Sequence, residues 1–196
     1  MNTSHIKAYA PKARTDFIEA VTRQAAKYGF TASHSEPLTV KGDVAFIGDQ
    51  AFPKNIATPH AALQEQMKQH GFHVVIEQAA YSWFNRLCAI RYMELHDYLG
   101  HGRRVLCHPD HADGFQLLDE CLDVDLPGLD QTKVRELKLD GTQDEELYRE
   151  LLLAQCHALH QAMPFLFEPV DDATELLLPE NLTKTDSLIK ELVTAI

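Results

Sequence analysis

Residues 81–96 place charged side chains inside an apolar helical surface, which constrains how the chain can fold. At about 100° per residue, the apolar residues of this region cover more than half of a helix circumference. Arg91 and Glu94 fall within that arc, whereas Arg86 and Asp97 are predicted on the opposite, solvated side. The pattern predicts one long central helix from about residue 74 to residue 99, built on Ala80, Trp83, Phe84, Leu87, Cys88, Ile90, Tyr92, Leu95 and Leu99.

Arg91 has two interpretations. It lies three residues before Glu94, the spacing at which helical side chains meet, so an internal ion pair is the interpretation that we favour. Arginine also binds carboxylates and phosphates through paired hydrogen bonds. Arg91 therefore also remains a candidate contact to DNA or to a partner protein.

The rest of the chain predicts an all-α or mainly α fold, a multi-helix, bundle-like domain covering residues 1–196. Residues 39–52 are the exception, because β-formers alternate there with glycines. This stretch predicts a minor β-hairpin or an irregular excursion. No internal repeat or low-complexity tract is present.

Several helix boundaries carry recognisable signals. Pro11 suits the first position of a helix, and Thr58 suits the N-cap of another. Asp130 is a candidate N-cap for a third helix. Thr142 and Glu145 have the spacing of a capping box, in which each side chain binds the other's backbone amide.

Charge is distributed unevenly. The formal net charge is −11, and residues 101–196 carry 20 acidic against 8 basic side chains. An acidic half repels phosphate, so only the mildly basic first thirty residues offer a nucleic-acid face. Lys7, Lys12 and Arg14 are the candidate contacts there, although an ordinary solvated helix surface explains them as well.

The four cysteines lack the CxxC spacing, which favours a reduced, cytoplasmic protein over a disulfide framework. No apolar run of about 18 residues predicts a membrane span. Two clusters have a suggestive spacing for metal, but structural zinc usually takes four ligands in tight pairs. We therefore predict no metal site at Cys107, His108 and His111 or at Cys156, His157 and His160.

Several stretches also carry a family resemblance. Residues 6–17, 81–96, 147–160, 163–172 and 175–183 resemble, in this order, the N-terminal region of PglX, the adenine-specific DNA methyltransferase of type 1 BREX phage-defence systems. The resemblance implies that the parent protein is a longer, S-adenosylmethionine-dependent N6-adenine methyltransferase. It also implies DNA, other BREX subunits and the missing methyltransferase domain as partners.

The catalytic motifs of that family lie outside this sequence. An adenine methyltransferase needs an Asn/Asp-Pro-Pro-Tyr/Phe loop for the flipped base and a glycine-rich turn after a strand for its cofactor. The chain has no Pro-Pro pair, and Gly100-His-Gly102 follows a helix. We therefore assign no catalytic or cofactor-binding residue and predict a helical accessory domain that braces the catalytic domain.

A short apolar run, residues 163–167, ends a predicted helix and is too short to form another. Met163, Phe165 and Phe167 are therefore candidates for docking against the missing domain. An alternative function is a free-standing acidic adaptor that binds another defence protein. A third is a DNA mimic, which the leucines at core spacing in the acidic half make less favourable.

Overall fold

The computed structural model describes residues 3–167 and 173–196 of the chain. Within them it has seven α-helices and one three-stranded antiparallel sheet, which confirms the mainly α fold and adds one strand to the predicted hairpin. Short 3₁₀ turns cover Lys54–Ile56, Cys121–Asp123 and Ala173–Leu177. The elements are α1 (Thr3–Lys27), β1 (Leu38–Lys41), β2 (Val44–Ile47), β3 (Gln50–Pro53), α2 (Ala57–His70), α3 (Phe72–Leu95), α4 (Gln116–Asp119), α5 (Gln131–Asp140), α6 (Asp144–His160) and α7 (Leu188–Ala195).

The described residues form two compact units. The sheet unit contains residues 14–83 and 173–180, and the α6 unit contains residues 3–13, 84–167 and 181–196. The single domain predicted for residues 1–196 stays a prediction.

The sheet unit packs one face of its sheet inward. In the central strand β2, Ala45 and Ile47 are buried and alternate with the more exposed Val44 and Phe46. This alternation is typical of an antiparallel sheet that covers a core on one side. The ring of Phe52, on β3, packs at 5.3 Å from the ring of Tyr28.

Helix α6 lies at the centre of the α6 unit. Helices α4 and α5 both pack against α6. Tyr148 is completely buried, its hydroxyl donates to the carbonyl oxygen of Val105 at 3.0 Å, and its ring lies 4.4 Å from that of Phe115. Burial raises the pKa of the Tyr148 hydroxyl well above its ordinary value, so it stays a neutral donor.

Two of the predicted helix starts are wrong. Helix α1 begins at Thr3 and contains Pro11, because Tyr9 and Ala13, four residues apart, share one buried face that extends the helix backwards. Helix α2 begins at Ala57, and Thr58 lies inside it. The central helix also ends earlier than predicted, at Leu95.

Of the two other predicted helix starts, the Asp130 N-cap is confirmed and the Thr142–Glu145 capping box is not. Asp130 caps α5 as predicted, since its Oδ1 accepts from the amides of Thr132 and Lys133 at 2.9 and 3.1 Å. The capping box is wrong. The Glu145 carboxylate instead accepts hydrogen bonds from the amides of Leu182 and Thr183 at 2.6 and 3.0 Å. This happens because the chain around residue 182 packs against the start of α6.

Gly29 ends the first helical segment in a conformation that only glycine adopts easily. Its φ is +78°, and an added Cβ would lie 2.7 Å from Ile47 Cγ2 and 2.9 Å from Glu36 Cβ. We expect Gly29→Ala to cost about 2–5 kcal/mol, from the left-handed backbone and the clash together. Gly42→Ala is the matched control, because Gly42 has φ +63° with nothing within 4 Å. Equal losses for the two variants in urea unfolding would contradict the predicted clash.

Candidate functional site

Glu94 is the centre of a buried polar cluster in the α6 unit. Its Oε1 accepts from Arg91 Nη1 at 2.7 Å, and its Oε2 accepts from the amides of Val105 and Leu106, both at 2.8 Å. The Glu94 side chain has no exposed surface, and that of Arg91 is 10% exposed. The predicted internal ion pair is therefore confirmed, and it fastens the connector after α3 to the end of that helix.

Cys107 completes this Glu94 cluster. Its Sγ lies 3.2 Å from Arg91 Nη1 and 3.6 Å from Glu94 Oε1. Arg91 Nε is buried and has no hydrogen-bond partner among the described residues. A guanidinium in this position is held by one carboxylate, so the pair depends strongly on both partners.

Two residues of α3 differ from their predicted burial. Arg86 is only 2% exposed and donates through Nε to the carbonyl oxygen of Leu166 at 3.3 Å, because the segment after α6 covers it. Tyr92, which the sequence predicts in the apolar arc, is 44% exposed. Asp97 is exposed as predicted and follows the helix with φ +55°.

A cleft of about 200 Å³ lies beside the Glu94 cluster, in the α6 unit. Its lining includes Asp97, Leu99, Gly102, Arg103 and Arg104. Arg103 Nε donates to Glu120 Oε2 at 2.7 Å, and its Nη1 donates to the carbonyl oxygen of His101 at 3.3 Å. Hydrogen bonds from Gln116 and from Arg103 hold the pKa of the Glu120 carboxyl below its usual range.

Three aromatic rings cluster on the surface at the C-terminal end of α3. The centroids of Tyr92 and His96 are 4.4 Å apart, those of His96 and Tyr98 5.6 Å, and those of Tyr92 and Tyr98 6.1 Å. The left-handed Asp97 turns the chain so that the Tyr98 amide donates to the carbonyl oxygen of Met93 at 2.9 Å. Tyr98 is 65% exposed. Sequence reasoning missed this Tyr–His cluster, although the spacing of Tyr92 and His96 was a signal.

The three predicted cations of α1 are all exposed. Lys12 pairs with Glu191, and Arg14 Nη2 lies 2.8 Å from Glu77 Oε1. Exposed ion pairs contribute little and exchange readily with other anions. The role of Lys7, Lys12 and Arg14 as contacts to DNA or a partner, like that of Arg91, stays a prediction.

The predicted docking residues separate into two groups. Phe165 is 87% exposed, and Met163 is half-buried. Phe167 is completely buried, and His160 Nδ1 lies 2.6 Å from its carbonyl oxygen. The Phe167 ring fills the interior, whereas Phe165 and Met163 keep exposed surface. Docking of Met163, Phe165 and Phe167 against another domain stays a prediction.

The described part of the chain shows no group of three histidine, cysteine or acidic side chains that could hold a metal ion. Burial raises the pKa of the Cys88 thiol to about 11 and also raises that of Cys121, which favours unreactive thiols. None of the helices in residues 3–167 and 173–196 has the length and hydrophobicity to cross a bilayer.

Comparison with known proteins gives two relatives that cover nearly the whole chain. The chain is 49% identical over 200 residues to the adenine-specific methyltransferase BrxX of Escherichia coli O9:H4 (strain HS), covering 98% of this chain and 17% of that protein. It is 28% identical over 212 residues to the adenine-specific methyltransferase PglX of Lacticaseibacillus casei (strain Zhang), covering 98% and 18%. No protein-family model matches. The chain thus spans about one sixth of the length of these curated relatives.

Proposed function

Because the chain is similar over nearly its whole length to the N-terminal region of PglX-type adenine-specific methyltransferases, we propose that it is a non-catalytic accessory region of such an enzyme. The whole enzyme transfers a methyl group from S-adenosylmethionine to N6 of adenine in DNA. It works in the cytoplasm, marks host DNA and takes part in phage defence. The observation that carries the proposal is the 49% identity to BrxX over 98% of this chain.

The residues of the chain support a role without chemistry. A doubly wound methyltransferase fold holds a nucleotide-like cofactor at the carboxyl ends of parallel strands. The sheet among the described residues is antiparallel, and its β2–β3 turn is an exposed hairpin. The base-binding Pro-Pro loop has no counterpart in the sequence either.

The Glu94 cluster supports a bracing role. It fixes three consecutive residues of the connector, Val105, Leu106 and Cys107, to the end of α3 through one carboxylate. A region held in this way presents a fixed surface to a neighbouring domain, which is what positioning of a DNA substrate needs. In the proposed role this region braces the methyltransferase domain and contacts DNA or other BREX subunits.

Deletion from the full-length relative tests the proposal. We expect BrxX without its region equivalent to residues 1–196 to keep its affinity for S-adenosylmethionine and to lose adenine methylation by about 100-fold, because its substrate is no longer positioned. Calorimetry measures the cofactor, and methyl incorporation into DNA measures the reaction. Wild-type methylation by the truncated enzyme, or micromolar binding of S-adenosylmethionine by the isolated chain, would contradict the proposal.

A second candidate is the acidic adaptor, which one observation favours. Between Asp119 and Glu150 the sequence has eleven acidic and four basic residues, and Leu122 and Leu139 are exposed in the same region. Such a surface suits a basic partner protein. A gene that continues past Ile196 into an Asn-Pro-Pro-Tyr-type motif decides for the methyltransferase, and a stop codon there decides for the adaptor.

If the chain were a DNA mimic, it would compete with duplex DNA for a DNA-binding protein.

A further inference from the structure

We propose that the Tyr–His cluster (Tyr92, His96 and Tyr98) and the cleft beside it bind one unpaired nucleotide of DNA. The base stacks on the rings, and its phosphate binds Arg103 and Arg104. This inference rests on the proposed function, because it names the DNA element that the accessory region recognises.

The rings provide the stacking surface. Tyr92 and Tyr98 both keep large exposed areas, 44% and 65%, although they belong to one cluster with His96. Exposed aromatic faces bind unpaired bases through stacking that depends little on base identity. A paired base hides its faces in the duplex stack, so this surface suits a nucleotide that has left it.

The arginines supply the complementary charge. Asp97 and Leu99, the two chain neighbours of Tyr98, line the same cleft as Arg103 and Arg104. Glu94 also lines this cleft, but its carboxylate is already paired with Arg91. The guanidinium of Arg104 donates, among the described residues, only to Cys107 Sγ at the long distance of 3.9 Å. Its remaining donors are therefore available to a phosphate, which guanidinium groups bind with paired hydrogen bonds.

The surroundings favour one nucleotide over a protein partner or a long duplex. A protein interface has an apolar centre, whereas the lining of this cleft includes the charged residues Asp97, Arg103 and Arg104. A long duplex needs many cations, and the acidic second half of the chain repels its phosphates. An adenine methyltransferase extrudes its target base into the catalytic pocket, which leaves the opposite nucleotide of the duplex unpaired.

Replacement of Asp97 should strengthen nucleotide binding, whereas replacement of the rings or arginines should weaken it. The exposed carboxylate of Asp97 is at the cleft and repels a phosphate there. Asp97→Asn removes this charge, and asparagine tolerates the left-handed backbone, φ +55°, of this position. The variant should bind a single strand more tightly, whereas a purely structural role for Asp97 predicts no gain.

The experiment is fluorescence anisotropy of the 196-residue chain with a fluorescein-labelled oligothymidine of about twelve nucleotides. We expect Tyr98→Ala to raise Kd about tenfold and Tyr98→Phe to leave it unchanged, because stacking needs the ring and not the hydroxyl. Arg104→Gln should weaken binding and reduce the salt slope by about 0.7. The matched control is Tyr81→Ala, an exposed tyrosine of α3 outside the cluster, which should change nothing.

Two outcomes would overturn the inference: no binding of the strand, or equal Kd values for Tyr98→Ala and Tyr81→Ala. Circular dichroism checks that each variant is folded. If Tyr98→Ala spares strand binding but weakens assembly of the full-length enzyme, the cluster is a protein interface and the inference is wrong. The accessory role is judged separately by the deletion of the region from BrxX, so the two can fail independently.

Discussion

Replacing Glu94 with Leu will lower the free energy of unfolding by about 3–5 kcal/mol. The variant leaves the Arg91 charge in a nearly dry site with no carboxylate. It also removes the acceptor of the Val105 and Leu106 amides, each of which loses a hydrogen bond in the interior. Arg91→Met should cost a similar amount, because it leaves the buried carboxylate without its cation. Urea unfolding of each variant measures both losses.

The double variant Arg91→Met with Glu94→Leu should recover much of the loss, since no charge is then left unpaired. It will not recover all of it, because the two amides still lack an acceptor. We expect a coupling energy above about 1 kcal/mol. The control pair is Lys12 and Glu191, both exposed, whose coupling should stay below about 1 kcal/mol. A coupling near zero for Arg91 and Glu94 would contradict the brace and restore Arg91 as a contact residue.

Trp83→Ala will destabilise the sheet unit by about 3–5 kcal/mol. Trp83 has no exposed surface, and its Nε1 donates to the carbonyl oxygen of Thr174 at 3.1 Å. Truncation therefore opens a large cavity and also removes the hydrogen bond from the indole to Thr174. Trp83→Phe keeps most of the ring volume and should cost distinctly less.

Tyr81→Ala is the comparison for Trp83, because it removes an exposed ring two residues away on the same helix. It should change the free energy of unfolding by less than about 0.5 kcal/mol. A loss below about 1 kcal/mol for Trp83→Ala in denaturant melts would show that the ring is not a core residue.

The features that sequence predicted well depend on neighbours in the chain. The Arg91–Glu94 pair follows from a spacing of three residues on one helix. The Asp130 cap binds amides two and three residues later, so its partners were fixed by the sequence itself.

The features that sequence missed depend on packing between distant residues. Glu145 has the correct spacing for a capping box, yet its partners are 37 and 38 residues away. Arg86 has a polar side chain on the predicted solvated face, but the segment around Leu166 covers it. The Tyr–His cluster required knowledge of where α3 ends, because only the turn at Asp97 brings Tyr98 back to His96. Apolar periodicity cannot distinguish such an exposed aromatic from a core one.

The central claim is that this region positions the methyltransferase without performing its chemistry. The most direct measurement is the rate of adenine methylation by a chimera in which this chain replaces the equivalent region of BrxX, to which it is 49% identical. Compared with BrxX lacking that region, the chimera should regain methylation while its affinity for S-adenosylmethionine stays the same. A chimera that methylates no faster than the deleted enzyme, although folded and loaded with cofactor, would contradict the account.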